Sequence, residues 1–159
     1  VKGVDGKYYT SNHATIWRWR EGYQHDFAAR LDWSHQPEFK GANHHPVVSV
    51  NGDRSRNPIF VTATPGTPVI LDASGTSDPD GDKLSFHWYP YREAGSFPLT
   101  IHYRNLEWQG DRTPVLKLNA PAATTPATIH FILEVRDQGQ PSLTTYRRVI
   151  LKVDPERHD

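Results

Sequence analysis

Two hydrophobic periods divide the chain. Between Ala14 and Trp33 the apolar residues recur every three or four positions, so Ile16, Trp19, Tyr23, Phe27 and Leu31 share one helical face. Arg18, Glu21, Gln24, His25 and Arg30 fall mostly elsewhere. The spacing predicts one amphipathic helix over residues 14–33, with Ser11 or Asn12 as its N-cap. A face this aromatic does not belong in water, so the helix is expected to dock through it.

Beyond Pro46 the period becomes two. Pro46–Val50 is a short strand candidate ending at the Asn51-Gly52-Asp53 turn signal. Val69–Ala73 follows two prolines. In Lys83–Trp88, Leu84, Phe86 and Trp88 point one way and Ser85 and His87 the other. Leu99–Tyr103 and Val115–Leu118 are shorter candidates. Ile129, Phe131, Leu133 and Val135 share one face, as do Val149, Leu151 and Val153, with Asp137–Pro141 as the loop between. Short strands broken by Gly/Pro turns, with no helices between them, predict a mainly β fold: an Ig-like β-sandwich preceded by one amphipathic helix. Residues 1–45 form the helical extension and 46–159 the sandwich. Trp88 is placed as the buried tryptophan of the core.

Composition narrows the class. The 159 residues hold 18 basic and 18 acidic side chains, a formal net charge of zero, which argues against nucleic acid or an anionic membrane as partner. No apolar run approaches the roughly twenty residues a membrane helix needs. Cysteine is absent, so any sandwich is of the disulfide-free kind. Methionine is absent even from position 1, and the chain is therefore expected to be a processed product or a piece of something longer.

The stretch Asp72–Asp82 carries four aspartates and two glycines in eleven residues. Asp78-Pro79-Asp80-Gly81 is a turn with a mechanism: the first carboxylate accepts N–H groups further on, proline presets φ, and glycine takes the free position. Asp72, Asp78, Asp80 and Asp82 are also candidate calcium ligands, since crowded carboxylates suit a hard cation, although the spacing lacks the closing glutamate of an EF-hand. The stretch Leu71–Trp88, with Leu133–Gly139 later, resembles the signature of PKD-type modules: a strand, a DPDGD loop and a strand ending in tryptophan.

A narrower resemblance rests on Ile16–Arg20, Asp26–Trp33, Ala42–Val47, Tyr91–Gly95 and Tyr146–Val149. Together these are similar to the C-terminal domain of bacterial cellulose-binding proteins whose N-terminal part is nucleoside-hydrolase-like. The resemblance implies a segment of a secreted or periplasmic bacterial protein acting around polysaccharide. It implies two partners: a glycan, cellulose or another plant or algal polymer, and the N-terminal nucleoside-hydrolase-like domain. It brings no catalytic site, because the aspartate cluster that holds calcium in nucleoside hydrolases has no counterpart in this sequence.

Glycan recognition uses rings that stack on sugars and polar groups that bond hydroxyls. Trp108, in the polar stretch Arg104–Gly110, is one candidate. Tyr89, Tyr91 and Arg92, outward of Trp88, are the others. The alternative is that these rings cover an edge of the core and the module braces its neighbour domain. Asn43-His44-His45-Pro46 suggests a metal, but adjacent histidines in extended chain point to opposite sides, and no HExxH spacing accompanies them. Asp32, Glu93 and Glu107 supply no distinguishable acid pair for glycoside hydrolysis, and no nucleophile motif exists, so the chain is read as no enzyme.

Overall fold

A computed structural model describes residues 7–8, 10–11, 13–36, 38–97 and 106–155. The expected Leu99–Tyr103 strand and the Asn12 cap lie outside them. Among the described residues two helices come first, α1 (Ala14–Trp17) and α2 (Arg20–His35), followed by seven strands: β1 (Ile59–Ala63), β2 (Pro68–Asp72), β3 (Ser85–Pro90), β4 (Trp108–Gln109), β5 (Val115–Asn119), β6 (Ala127–Arg136) and β7 (Thr144–Val153). No helix among the described residues is long and apolar enough to cross a membrane.

The strands form two sheets, one in the order β1-β7-β6-β3 and one in the order β2-β5-β4. The first is antiparallel except at its edge, where β1 runs parallel to β7 with Ile59 opposite Val149. In β6 and β7 burial extends to the outer face as well, at His130, Ile132 and Ile150. Ile129, Phe131, Leu133 and Val135 of β6 and Val149, Leu151 and Val153 of β7 meet Val69 and Leu71 of β2 and Leu116 and Leu118 of β5 in one core. Trp88 is 1% exposed at its centre, and its indole N–H donates to the Thr113 carbonyl at 3.2 Å. This is the expected mainly β, Ig-like sandwich, with its tryptophan where alternation puts it.

Pro46–Val50 is not a strand. Val47 and Val50 make only isolated bridges, to Ser77 and Asp53. The left-handed Asn51 (φ 50°) and Gly52 (φ 82°) turn the chain before a ladder forms. Strand β1, by contrast, was not expected. Its burial alternates over only five residues, and Phe60 on its outer side is open to solvent beneath the Lys152 ammonium, 4.6 Å from the ring centre.

The helical region also differs from the single helix expected. The chain tightens at Arg18 and Trp19, where the Trp19 N–H bonds the Ile16 carbonyl at 3.1 Å, a three-residue step. His13, not Ser11, stands at the N-cap of α1. The break drops the Trp19 ring onto the outer face of the four-stranded sheet, 4.9 Å from the Tyr146 ring and nearly perpendicular to it. Trp19 also meets Tyr89 and Tyr91.

Helix α2 then approaches the sheet through small residues. Ala29 is fully buried, and a Cβ on Gly22 would sit 3.1 Å from the Tyr146 hydroxyl. The Trp33 indole closes the far end by donating to the Asn43 carbonyl at 2.8 Å. The stripe expected to dock does the opposite: Tyr23, Phe27 and Leu31 are 48%, 64% and 50% exposed. The sheet beneath already supplies large rings, so only the narrow Gly22/Ala29 side of α2 fits close, and the broad stripe faces outward.

Candidate functional site

Three regions hold the expected site residues. Tyr89, on the outer face of β3, and Tyr91, just past the strand's end, lie half-buried beneath Trp19. The Arg18 guanidinium lies over the Tyr91 and Trp19 rings and bonds Glu93 at 2.8 Å. Burial raises the Tyr89 hydroxyl well above the ordinary phenol range and pushes Tyr146 up to about 12, with Glu134 between them adding to both. Both rings therefore stay neutral. Arg92 is exposed one turn further on. Trp108 is on strand β4 opposite Leu118, not in a loop, and its ring leans edge-on against Phe131 at 6.1 Å. The three candidate stacking rings do not form one open row: two are seated under the helix and the third is part of the core margin.

The aspartate loop is a turn built on backbone donors. Asp78 Oδ1 accepts from the N–H groups of Asp80 and Asp82 at 2.9 and 3.1 Å. Asp72 Oδ1 accepts from Ser74 N–H at 2.8 Å. Asp80 turns away to receive the His44 N–H at 2.7 Å and face its ring. Asp82 is raised above the ordinary carboxylate range, first by burial and then by Asp78, Asp137 and Asp80. Among the described residues no three or more His, Asp or Glu side chains converge to hold a metal. Asp72, Asp78 and Asp80 accept the N–H groups that shape the loop and pin it to the segment after α2, while Asp78 Oδ2 is buried with no hydrogen-bond partner among the described residues.

The adjacent histidines separate. His44 stacks between Phe39 and Trp33, 3.8 and 5.8 Å from their ring centres. His45 turns the other way and meets Asp26 at 2.8 Å. Asp26 also binds Arg30, the expected i,i+4 pair, at 2.8 Å, which holds its carboxyl below the usual range. Glu21 reaches across to Arg136 rather than along the helix. Asn43, at the end of the same segment, is buried with its amide donating to Asp137 at 3.1 Å and to the Pro141 carbonyl at 2.9 Å. These bonds tie α2 and its following segment to the β6–β7 connection at one end of the sheet.

What sequence reasoning missed is a basic cleft beside α2. It has a volume of about 440 Å³ and is lined by Asp26, Arg30, His45, Arg54, Arg56 and Arg147. Arg147 lies on the core side of β7 and is 4% exposed. The signal was present: strict alternation back from Val149 puts Arg147, not Arg148, on the inward face. The other feature missed is the open stripe on α2, hidden because periodicity reports that a face is apolar but not which body covers it.

The described residues thus form an Ig-like sandwich with helix α2 packed on its four-stranded sheet. The chain belongs to the family of the cellulose-binding protein Sde0182, C-terminal domain, whose model matches residues 68–153, more than half of its length. It is also similar to a solved structure from Saccharophagus degradans, described as a nucleoside hydrolase-related hypothetical protein associated with carbohydrate metabolism. The two are 38% identical with a TM-score of 0.82, over 92% of this chain and 34% of that one. This chain therefore spans about a third of that protein's length. A PKD domain from the KIAA 1837 protein aligns at 19% identity and a TM-score of 0.40, over 66% of this chain and 90% of that domain. No curated protein matches the chain.

Proposed function

We propose that this chain is a non-catalytic accessory module of a larger secreted or periplasmic bacterial protein acting around polysaccharide. In this reading its α2 face seats a nucleoside-hydrolase-like domain of the same protein. The carrying observation is the open stripe Tyr23, Phe27 and Leu31, continued by Ile16 and Trp17 of α1, both about half exposed (51% and 48%). A contiguous apolar stripe of this kind marks an interaction surface. Its composition favours protein over sugar. Isoleucine, leucine and phenylalanine bury well against another apolar surface, while stacking on a pyranose calls for flat rings edged by hydroxyl-bonding groups. The S. degradans relative has about two thirds of its length outside the matched region, which supports a neighbouring domain as the occupant.

The test mixes this chain with the separately produced remainder of the S. degradans relative. A one-to-one complex in size-exclusion chromatography is expected, lost in the triple variant Tyr23→Ser, Phe27→Ser, Leu31→Ser whose circular dichroism is unchanged. No complex, or one the triple variant leaves intact, would overturn the reading.

A second reading is direct binding of cellulose or another plant or algal polymer through Trp108, with Tyr89, Tyr91 and Arg92. One observation favours it: half-exposed Trp108 borders a shallow cleft of about 390 Å³ with Leu106, Glu107 and Gln109.

A further inference from the structure

The cleft between α2, the start of β7 and the 53–56 loop carries an unusual burden of positive charge for a chain whose net charge is zero. Four arginines line it: Arg30, Arg54, Arg56 and Arg147. The lining acid, Asp26, is already matched by Arg30 and His45, at 2.8 Å each. Arg54 spends one nitrogen on the Gly75 carbonyl at 3.1 Å.

Arg147 decides what the cleft is for. Its side chain is 96% removed from solvent, at 4% exposure, yet its hydrogen bonding is incomplete. Nη2 meets Asp53 at 3.2 Å, while Nε and Nη1 are buried with no partner among the described residues. Asp53 is itself 44% exposed and holds the Ser55 N–H at 2.6 Å, so it is a partial counter-ion at the rim. A buried guanidinium with two idle nitrogens is costly unless something completes it. Buried Val48 lines the same cleft, so little water is left to solvate the charge. A buried charge thus lines a cleft to which three more guanidinium groups contribute.

We propose that this cleft is a binding site for an oxyanion: a carboxylate, sulfate or phosphate group, free or carried on a small molecule such as an acidic sugar. Guanidinium forks match such groups with two parallel N–H···O bonds, which an ammonium cannot do. The volume is within the range of small-molecule sites and admits a single sugar ring. Arg54 and Arg56, on the exposed loop that follows Asp53, close over the ligand, and Arg147 shares its charge between Asp53 and the anion. The site is separate from the rings of β3 and from Trp108. It does not depend on whether α2 seats another domain.

The experiment titrates the isotope-labelled 159-residue chain, at constant ionic strength set with sodium chloride, with sodium glucuronate, sodium sulfate and glucose in turn. Saturable shifts at the 53–56 amides and at the Arg147 Nε–H resonance are expected with at least one of the anions, and none with glucose. Tighter binding of glucuronate identifies an acidic sugar as the source; sulfate binding as tightly identifies a free or esterified oxyanion. The double variant Arg54→Ala, Arg56→Ala alters two exposed side chains and keeps the rest of the spectrum, and it should weaken binding at least tenfold. Shifts that rise linearly with either anion, equal affinity for glucose, or unaltered affinity in the double variant would each overturn the proposal.

Discussion

Glu134 shows how one side chain reads its surroundings. It stands on β6 opposite Tyr146 of β7 and His87 of β3, half-buried on the face that α2 covers. Burial raises its carboxyl above the ordinary range; Arg136 and Arg112 pull it down by less, and Glu21 adds repulsion. The folded protein therefore holds this proton more tightly than the unfolded chain does. Stability from this group is complete below the unfolded pKa and is lost as pH rises through the folded one. Glu134→Gln should accordingly raise the melting temperature at neutral pH, and the difference should vanish by roughly pH 3, where the unfolded carboxyl is also protonated. Calorimetry at the two pH values checks it; a lower melting temperature at neutral pH would show that Glu134 holds a favourable ion pair instead. At this scale the sequence was legible wherever alternation alone decides a position. Trp88, Phe131 and Leu133 were readable as core. The fate of Tyr89 and Tyr91 was not, because outward on a strand means exposed only until another element covers it.

Helix α2 is where local pattern and tertiary packing part. Its apolar period correctly announced a helix over most of its length, since α2 ends at His35 with that imidazole in the last turn and Glu21 in the first, both suited to the helix dipole. The period did not reveal which side would meet the sheet. A surface already furnished with Tyr89, Tyr91 and Tyr146 selects the side that brings least bulk. Gly22→Leu tests this. The added side chain must displace the Tyr146 ring, and overpacking of this kind costs about 1–3 kcal/mol. The expected outcome is lower stability in urea with the Trp19 environment, read by fluorescence, altered first. Were the stripe Tyr23/Phe27/Leu31 the true docking side, Gly22→Leu would be tolerated or stabilising, since leucine exceeds glycine in helix propensity by somewhat under 1 kcal/mol. The same logic explains β1 and Pro46–Val50. A five-residue edge strand carries little periodic signal, and a promising valine run fails when Asn51 and Gly52 reverse the chain at once.

For the molecule as a whole, the question is whether the polymer or a neighbouring domain meets it first. Glycan stacking needs several rings open along one face, each contributing a modest gain that only repetition makes useful. Tyr89 and Tyr91 are engaged with Trp19, and Trp108 rests on Phe131, so the isolated chain offers at most one partly open ring among the three. The α2 stripe offers three apolar side chains at successive turns, all about half exposed or more. Sedimentation of the purified chain with insoluble cellulose, and with a panel of plant and algal polysaccharides, is therefore expected to leave it in the supernatant. A chelator should change neither that result nor the melting temperature, because the carboxylates of Asp72, Asp78 and Asp80 already accept N–H groups. Retention on one polymer that disappears with Trp108→Ala would reverse the ranking of the two functional readings and make the β4 margin the binding face. Retention abolished by the chelator would return the aspartate loop to the role of a calcium site. Retention lost instead with the Tyr23/Phe27/Leu31 variant would mean that the stripe itself is the glycan platform, and the protein-docking argument from its isoleucine and leucine content would fail.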